Sequence, residues 1–505
     1  MTVYCDWLGR RAALTPEKVA LLDRTGGRRI PITYRDWDRQ VNRTARWLRE
    51  VHRIRRGDRV AILANNSVAY LDLLFACGKL GAILQTLNWR LTPAELYALL
   101  VPALPTLLVH NATTREQVRT LASSGLVLPV MDLDGAGEHS LQGRESYSDA
   151  PIHEEIRPED PWIICYTGGS TGVPKGAVLT HGSVVANAVN TVAGWGMTQD
   201  DVAILNAPLF HVGGLNVLTT PLVLVGGTSI VCDGFDPGQV FELIQSEGVT
   251  AFFGVPTMFL ALLQHPRWSS ADLSQVRLVI SGGAPCPEAI LQAFWERGVG
   301  LRTGYGLTEA GPNNFGISPE LAREKPGSVG FPLFLVETRL VADGRECGDD
   351  EVGELWIRGP HVFGGYWGCP DETAKAMEGG WLRTGDLARR DREGCYWIVG
   401  RIKDLIISGG ENVYPAEVEG VLMDHPSVAE AAVIGVPDER WGEVGRALIV
   451  PREGHPQDAE ALLAFCRERL ARYKVPKEIR WLDALPRTAA GKIDKPALRR
   501  DHGAR

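Results

Sequence analysis

With 505 residues, 45% of them hydrophobic and 23% charged, the chain has the composition of a soluble globular protein and more length than one core can hold, so roughly two to four domains are expected. Its 53 Lys and Arg against 61 Asp and Glu leave a formal charge of −8, which excludes a global basic field for nucleic acid or an anionic membrane. Nine cysteines fall singly with no C-x-x-C pair, a pattern of reduced structural thiols in a cytosol rather than of disulfides or a zinc site.

The opening MTVYCDWLGRRAALTPEK carries Asp6, Arg10 and Arg11 where a signal peptide needs an apolar run. No membrane-length apolar stretch follows, so a cytoplasmic protein without an integral membrane segment is expected. From about Thr33 to Pro332 the pattern alternates helix and strand, as in an α/β fold of doubly wound sheets. RVAILANN (Arg59–Asn66) reads as a buried parallel strand, and YLDLLFACGKLGAIL (Tyr70–Leu84) has helical apolar spacing. PLVLVGGTSIVC (Pro221–Cys232) is short, glycine-broken and β-branched, and reads as a buried strand pair. TAFFGVP (Thr250–Pro256) and QVRLVISGGAP (Gln275–Pro285) are strands that stop in Gly/Pro turns. Such turns lie at the carboxyl ends of parallel strands, where open α/β sheets bind ligands. After Gly330 short β-rich pieces such as EVGELWIRG and GCYWIVGR predict a small barrel-like subdomain. From about Asp404 a helix, two strands, a helix and a short strand predict a separate α+β domain of ordinary size.

Four segments carry candidate chemistry. YTGGSTGVPKGA (Tyr166–Ala177) nearly spells a Walker loop, but Pro174 and Gly176 flank Lys175. Proline offers no N–H and holds Val173 extended, so no helix starts at Lys175 and the P-loop reading fails. The loop's hydroxyls, glycine N–H groups and single ammonium nevertheless suit phosphate oxygens. In GYGLTEAG (Gly304–Gly311) Tyr305 can stack on a purine and Glu309 can hold Mg²⁺, or the segment is a helix start capped by Thr308. In WLRTGDLARRD, Asp386 either accepts from ribose hydroxyls or forms an Asx turn. Lys492, in LPRTAAGKIDK, sits on a Gly-Lys turn of a kind usually just exposed.

Together these segments, with PLFHVGG, SGGAP and GRIKDLIISGGENVYPAEVE, resemble the adenylate-forming superfamily of acyl-CoA synthetases, peptide-synthetase adenylation domains and luciferases, from about residue 10 to about 500. The resemblance is nearest to fatty-acid or aryl-acid CoA ligases. It implies an N-terminal adenylation domain over residues 1–402, a mobile C-terminal domain over 403–505, and a hinge at Lys403. It further implies two half-reactions: a carboxylic acid and ATP give acyl-AMP and pyrophosphate, and coenzyme A then displaces AMP.

By this resemblance the nucleotide is held by Thr167, Gly168, Gly169, Ser170, Thr171, Gly172 and Lys175, by Gly283, Ala284 and Pro285, by Gly304, Tyr305, Gly306, Leu307 and Thr308, and by Asp386, Arg401 and Lys492. Glu309 and Thr171 take Mg²⁺, and Lys492 bridges the carboxylate and α-phosphate, with His211 beside them. The acyl pocket is expected from His211, Val212, Gly213, Gly214, Val255, Pro256, Gly282, Gly304 and Leu307. Ser408, Gly409, Gly410, Trp441, Tyr473 and Lys477 are carried over for CoA. Basic Arg472, Lys474 and Lys477 form either a cationic patch for that nucleotide or a solvated face.

Gly168 departs from the family's commoner Ser and removes one hydroxyl from the phosphate grip. Amino-acid-activating members have Asp directly after the Phe of the PLFHVGG region. Here His211 follows Phe210, and an unpaired buried ammonium is costly, so amino acids are disfavoured. The expected substrate is a hydrophobic acid, a medium- or long-chain fatty acid or a ring-containing one. An acyl-AMP ligase serving a carrier protein, a non-catalytic acyl or nucleotide sensor, and an oxidative luciferase are the alternatives. Monomer and homodimer both remain open.

Overall fold

The computed structural model describes residues 6–137, 140–167, 174–488 and 492–503. Among these, two large, mainly parallel sheets form the N-terminal body. The first runs Val130–Asp132, Leu107–His110, Arg59–Leu63, Ile83–Thr86, Pro161–Thr167 and Lys175–Thr180, and only the last pair is antiparallel. The second runs Leu301–Thr303, Leu278–Ser281, Ala251–Gly254, Val202–Leu205, Thr228–Val231, Val19–Asp23 and Ile30–Thr33, again parallel except at its last pair. Both have the near-continuous apolar strands expected of sheets covered on two faces. Thr86 Oγ1, on the first sheet, donates to the carbonyl of Phe210 at 2.9 Å and so ties the two sheets together beside the cleft.

In the second sheet Gly254, Ser281 and Thr303 are Cα partners. Three strands therefore end level, and Val255, Gly282–Pro285 and Gly304–Leu307 issue from one edge. Each strand stops where predicted, because Gly and Pro break the ladder there. Along Ala251–Gly254 side chains alternate between faces. Phe252 meets Phe259 edge-on at 5.6 Å on one side, and Phe253 turns to the other.

One expectation fails. Pro221–Cys232 is not a strand pair: Thr219–Val225 is a helix that ends at Gly226 in the left-handed conformation (φ 88°), and only Thr228–Val231 is a strand. The five consecutive residues from Pro221 to Val225 are apolar, and such an unbroken run has no periodicity to distinguish helix from strand.

The β-rich part is an antiparallel sheet of Arg345–Glu346, Glu337–Ala342, Val352–Arg358, Trp381–Arg390 and Met377–Glu378, with Tyr396–Arg401 also paired to Trp381–Arg390. Beyond it, Ile406–Ser408 and Glu411–Val413 form a hairpin beside the long strands Val428–Asp438 and Gly442–Pro451, and Glu478–Trp481 runs parallel to the latter. The helices Pro415–Met423, Ala459–Arg469 and Lys495–His502 cover this sheet. Its two hydrophobic clusters contain no residue before Ile406. This region therefore has its own core, as the sequence pattern predicts; the hairpin and last helix are additions. No described helix is long and apolar enough to cross a membrane, and the eight described cysteines are all free.

Candidate active site

The site is assembled from strand ends. Thr167 and Lys175 face each other as Cα partners on antiparallel strands. Lys175 therefore starts a strand and not a helix, as Pro174 predicts. Gly168, Gly169, Ser170, Thr171 and Gly172 lie outside the described residues. The Lys175 ammonium is ion-paired with Glu372 and lies 5.3 Å from the centre of the Tyr366 ring. Residues 364–367 run as an extra edge against the Lys175–Thr180 strand, with Val178 N donating to Gly365 O at 2.9 Å and Trp367 N to Gly176 O at 2.8 Å. That edge fixes Tyr366, whose hydroxyl donates to Glu309 Oε1 at 2.8 Å.

Glu309 sits in a single 3-10 turn, Thr308–Ala310, which has no side-chain cap, so Thr308 does not act as one. Thr167 Oγ1 donates to the same Oε1 at 3.2 Å. Both bonds fall on one carboxylate oxygen, which leaves Oε2 for a hard cation shared with phosphate. The donor set thus fits Mg²⁺ at Glu309; Thr171 lies outside the described residues. Burial and the Glu309 charge push the Tyr366 phenol well above its ordinary pKa, so it stays protonated and donates.

Asp386 is only 4% exposed. Tyr305 Oη donates to its Oδ2 at 2.7 Å, and Arg401 Nε lies 2.9 Å from Oδ1. Asp386 and Arg401 are cross-strand partners, so the sheet itself sets the pair. Asp386 raises the Arg401 pKa more than any other group does. Each carboxylate oxygen keeps a further lone pair for a ribose hydroxyl. Asp386 N also donates to Thr384 Oγ1 at 3.1 Å. The Asp386 carboxylate oxygens are thus engaged by Tyr305 and Arg401 and not by a backbone N–H of an Asx turn.

Gly306 has a structural reason to be glycine: any Cβ there would strike the backbone of Pro312. Gly283 adopts φ +80°, and a Cβ on it would lie 3.6 Å from Val255 Cγ1 and 3.9 Å from Lys492 Cε. Lys492 is thereby brought from the C-terminal region to the strand edge of the second sheet. Its main chain is tied back to Thr488, whose N donates to Lys492 O at 2.7 Å. Burial, then Arg401, lowers its pKa, while Asp386 and Glu309 act against them. The residue as a whole is exposed, so it is the ammonium end of the side chain on which burial acts.

His211 caps the helix Val212–Asn216, its Nδ1 accepting from Gly213 N at 3.2 Å. The hydrogen bond places the ring proton on Nε2. Burial, and secondarily Lys492, lowers its pKa to about 4, so it is neutral at physiological pH. Of the expected acyl-pocket residues, Val255 and Gly282 join this edge and Gly213 flanks His211. Val212 is packed into the core, and Pro256 is the first residue of the helix Pro256–Gln264. Sequence reasoning missed Phe253, Tyr366 and Glu372. The first hides in an apolar run, and the other two lie far along the chain from Lys175.

The residues carried over for CoA lie elsewhere. Ser408 is buried and pairs with Gly442, Gly409 N donates to Trp441 O at 2.7 Å, and Trp441 and Tyr473 are each 40% exposed. Gly410 and Lys477 are exposed on the same C-terminal sheet region. Lys474 is paired with Glu417 at 2.6 Å, which weakens the expected cationic patch to Arg472 and Lys477. Lys403 is exposed in the turn Ile402–Asp404.

The family model for AMP-binding enzymes matches residues 8–367, and that for the AMP-binding enzyme C-terminal domain matches residues 417–492. The chain belongs to the AMP-binding enzyme family. It is 44% identical to a feruloyl-CoA synthase of Amycolatopsis sp over 99% of both chains. To an indoleacetate–CoA ligase of Aromatoleum aromaticum it is 39% identical over 98% of this chain and 97% of that one. Among solved structures, the o-succinylbenzoate CoA synthetase of Bacillus subtilis in complex with its acyl-adenylate intermediate superposes with a TM-score of 0.88, at 33% identity and 98% coverage of each chain. This AMP-binding enzyme is an AMP-forming acid–thiol ligase that uses ATP, Mg²⁺ and coenzyme A. The gap between the two matched segments contains the expected junction at residues 402 and 403.

Proposed function

We propose that this ligase activates an aromatic carboxylic acid and transfers its acyl group to coenzyme A. The observation that carries the reading is Lys492 standing against Gly283, on the strand edge that also presents Val255, with Glu309 and the Asp386–Arg401 pair among the charges that act on it. The expectation left fatty and ring-containing acids side by side. The aromatic acids in the names of the relatives, together with a pocket wall built from glycines and the Phe253 ring, favour the ring.

Both reactants of the first step are anions, so the chain's task is neutralisation and placement. Lys492 offsets the carboxylate and α-phosphate charge as a carboxylate oxygen attacks phosphorus and pyrophosphate leaves. Neutral His211 offers its Nε2–H beside that ammonium without adding a second cation. Asp386 and Arg401 hold the ribose, and the Tyr305 ring supports adenine near Gly283–Pro285. Lys175 exchanges Glu372 for the departing phosphates. Mg²⁺, when bound at Glu309, supplies neutralisation of phosphate charge.

In the second step the CoA sulfur attacks the acyl carbon, the thiol proton passes to solvent, and AMP leaves. Lys492 covers the anhydride in the first step, so the thiol needs another approach. Rotation of residues 403–505 about Lys403 would withdraw Lys492 and bring Ser408–Gly410 to the cleft, a motion of the μs–ms class. Trp441, Tyr473 and Lys477 would then face the CoA nucleotide.

The test is acid-dependent ATP–pyrophosphate exchange over aryl and fatty acids, followed by thioester detection with CoA. Aryl acids are expected to lead in kcat/KM and to yield CoA thioesters with AMP. Formation of ADP, or preference for alkyl chains, would overturn the proposal.

A further inference from the structure

Among the described residues the Lys175 ammonium has one acidic partner, Glu372 through its Oε2. The course of the chain builds this contact. Residues 364–367 run against the strand that Lys175 begins, and the helix Pro370–Ala376 follows directly. Tyr366 N donates to Thr373 Oγ1 at 2.8 Å and Cys369 N to Tyr366 O at 3.1 Å. The helix is thereby tied to the edge and carries Glu372 back to Lys175. The two side chains are only 18% and 28% exposed. The other carboxylate oxygen, Oε1, lies 2.7 Å from the ammonium of Lys375, which sits one turn further along the helix and is open to solvent. Lys175, then Lys375, hold the pKa of the Glu372 carboxyl down to about 2, so it is ionised at any pH near neutrality.

A carboxylate oxygen on an ammonium makes the same charge-assisted contact that a phosphate oxygen makes. A ligand that needs the Lys175 ammonium must therefore displace Glu372 from it. We propose that Glu372 is a built-in competitor for the pyrophosphate end of the nucleotide site, yielding Lys175 when ATP enters and retaking it as pyrophosphate leaves. This rests on the reading above that Lys175 meets the phosphates, and deepens it by naming how that grip is regulated. Lys375 keeps the exchange reversible, because it leaves a cation on the freed carboxylate while Lys175 is engaged. Gripping the phosphate tail equally before and after cleavage does not speed the chemical step and only holds the product. A competitor that weakens both grips shortens that hold.

The experiment uses the full-length wild type, Glu372→Gln and Lys375→Met with one saturating aryl acid. It measures KM for ATP in ATP–pyrophosphate exchange, and the inhibition constants of pyrophosphate and of AMP in CoA thioester formation. An ion pair near the surface changes an equilibrium by roughly 1.5- to 5-fold. Glu372→Gln should therefore lower KM for ATP and the pyrophosphate constant together by that factor. The AMP constant should not move, because AMP lacks both of the phosphates that meet Lys175. Lys375→Met leaves Glu372 with Lys175 alone and should shift the same two constants upward. Constants for ATP and pyrophosphate that stay the same or rise in Glu372→Gln would overturn the proposal, a rise meaning that Glu372 positions Lys175 for phosphate. An AMP constant that shifts as far as the pyrophosphate constant would also overturn it, by tracing the effect to the fold of the whole site. Either result with normal acid-dependent exchange leaves the ligase reading intact. A wild type that shows no such exchange with any aryl acid would overturn both.

Discussion

Tyr366 can be tested one interaction at a time. Its hydroxyl donates at 2.8 Å to Glu309 Oε1, while its ring lies 5.3 Å from the Lys175 ammonium. Tyr366→Phe removes the first contact and keeps the second, since phenylalanine presents the same face to a cation. A hydrogen bond to a charged group contributes about 1.5–3 kcal/mol. Oε1 retains the Thr167 hydroxyl at 3.2 Å, so the carboxylate is loosened and not abandoned. With about 1.36 kcal/mol per factor of ten, the expected loss in kcat/KM for ATP is roughly 10- to 150-fold. The deficit should shrink as Mg²⁺ is raised, because the changed atom orients the cation's carboxylate. ATP–pyrophosphate exchange under a magnesium titration, with one saturating aryl acid, reads both effects. Exchange equal to wild type at every Mg²⁺ concentration would show that the phenol merely fills space and that Glu309 needs no positioning.

Three further outcomes are expected. Lys492→Ala should abolish most acid adenylation while sparing thioester formation from supplied acyl-AMP, measured as separate half-reactions; equal loss of both would contradict its role. Lys403→Pro should leave pyrophosphate exchange near wild type and impair CoA thioester formation, and intact thioesterification would argue against a pivot there. Burial depresses His181 to a pKa of about 4 from 6.5, so the unfolded chain takes up its proton first as pH falls. Stability should therefore be lost between pH 6.5 and about 4, by up to roughly 3 kcal/mol from this ring. His181→Gln should flatten that slope in denaturant titrations run across the interval; an identical slope would remove His181 from the account.

The parts of the fold that sequence made legible are those where local chemistry and tertiary position agree. Gly254, Ser281 and Thr303 end strands beside Gly or Pro, and the segments after them are the site's edge. Pro174 told against a helix at Lys175, and the residue indeed starts a strand, whose antiparallel pairing the sequence did not reveal. Thr219–Val225 was misread because its unbroken apolar run from Pro221 erases the periodicity that distinguishes helix from strand. Lys492 could be assigned only through family resemblance, since a Gly-Lys turn carries no local mark of the cleft it enters. Phe253 was invisible for a related reason. In AFFG both phenylalanines look like core, and which one borders the ligand space depends on glycines that come later in the chain. Tyr366 and Glu372 required the Lys175–Thr180 edge pairing, a contact between distant segments with no one-dimensional signature.

The two hydrophobic clusters that begin at Ile406 have one more consequence. A protein that keeps its reactive ammonium on the lesser of two separately packed bodies has a weak point set by that lesser body. Mild heating that loosens it would silence acid activation while the larger body still grips nucleotide. The temperature of inactivation would then fall below that of full denaturation, and what fails first would be delivery of the lysine.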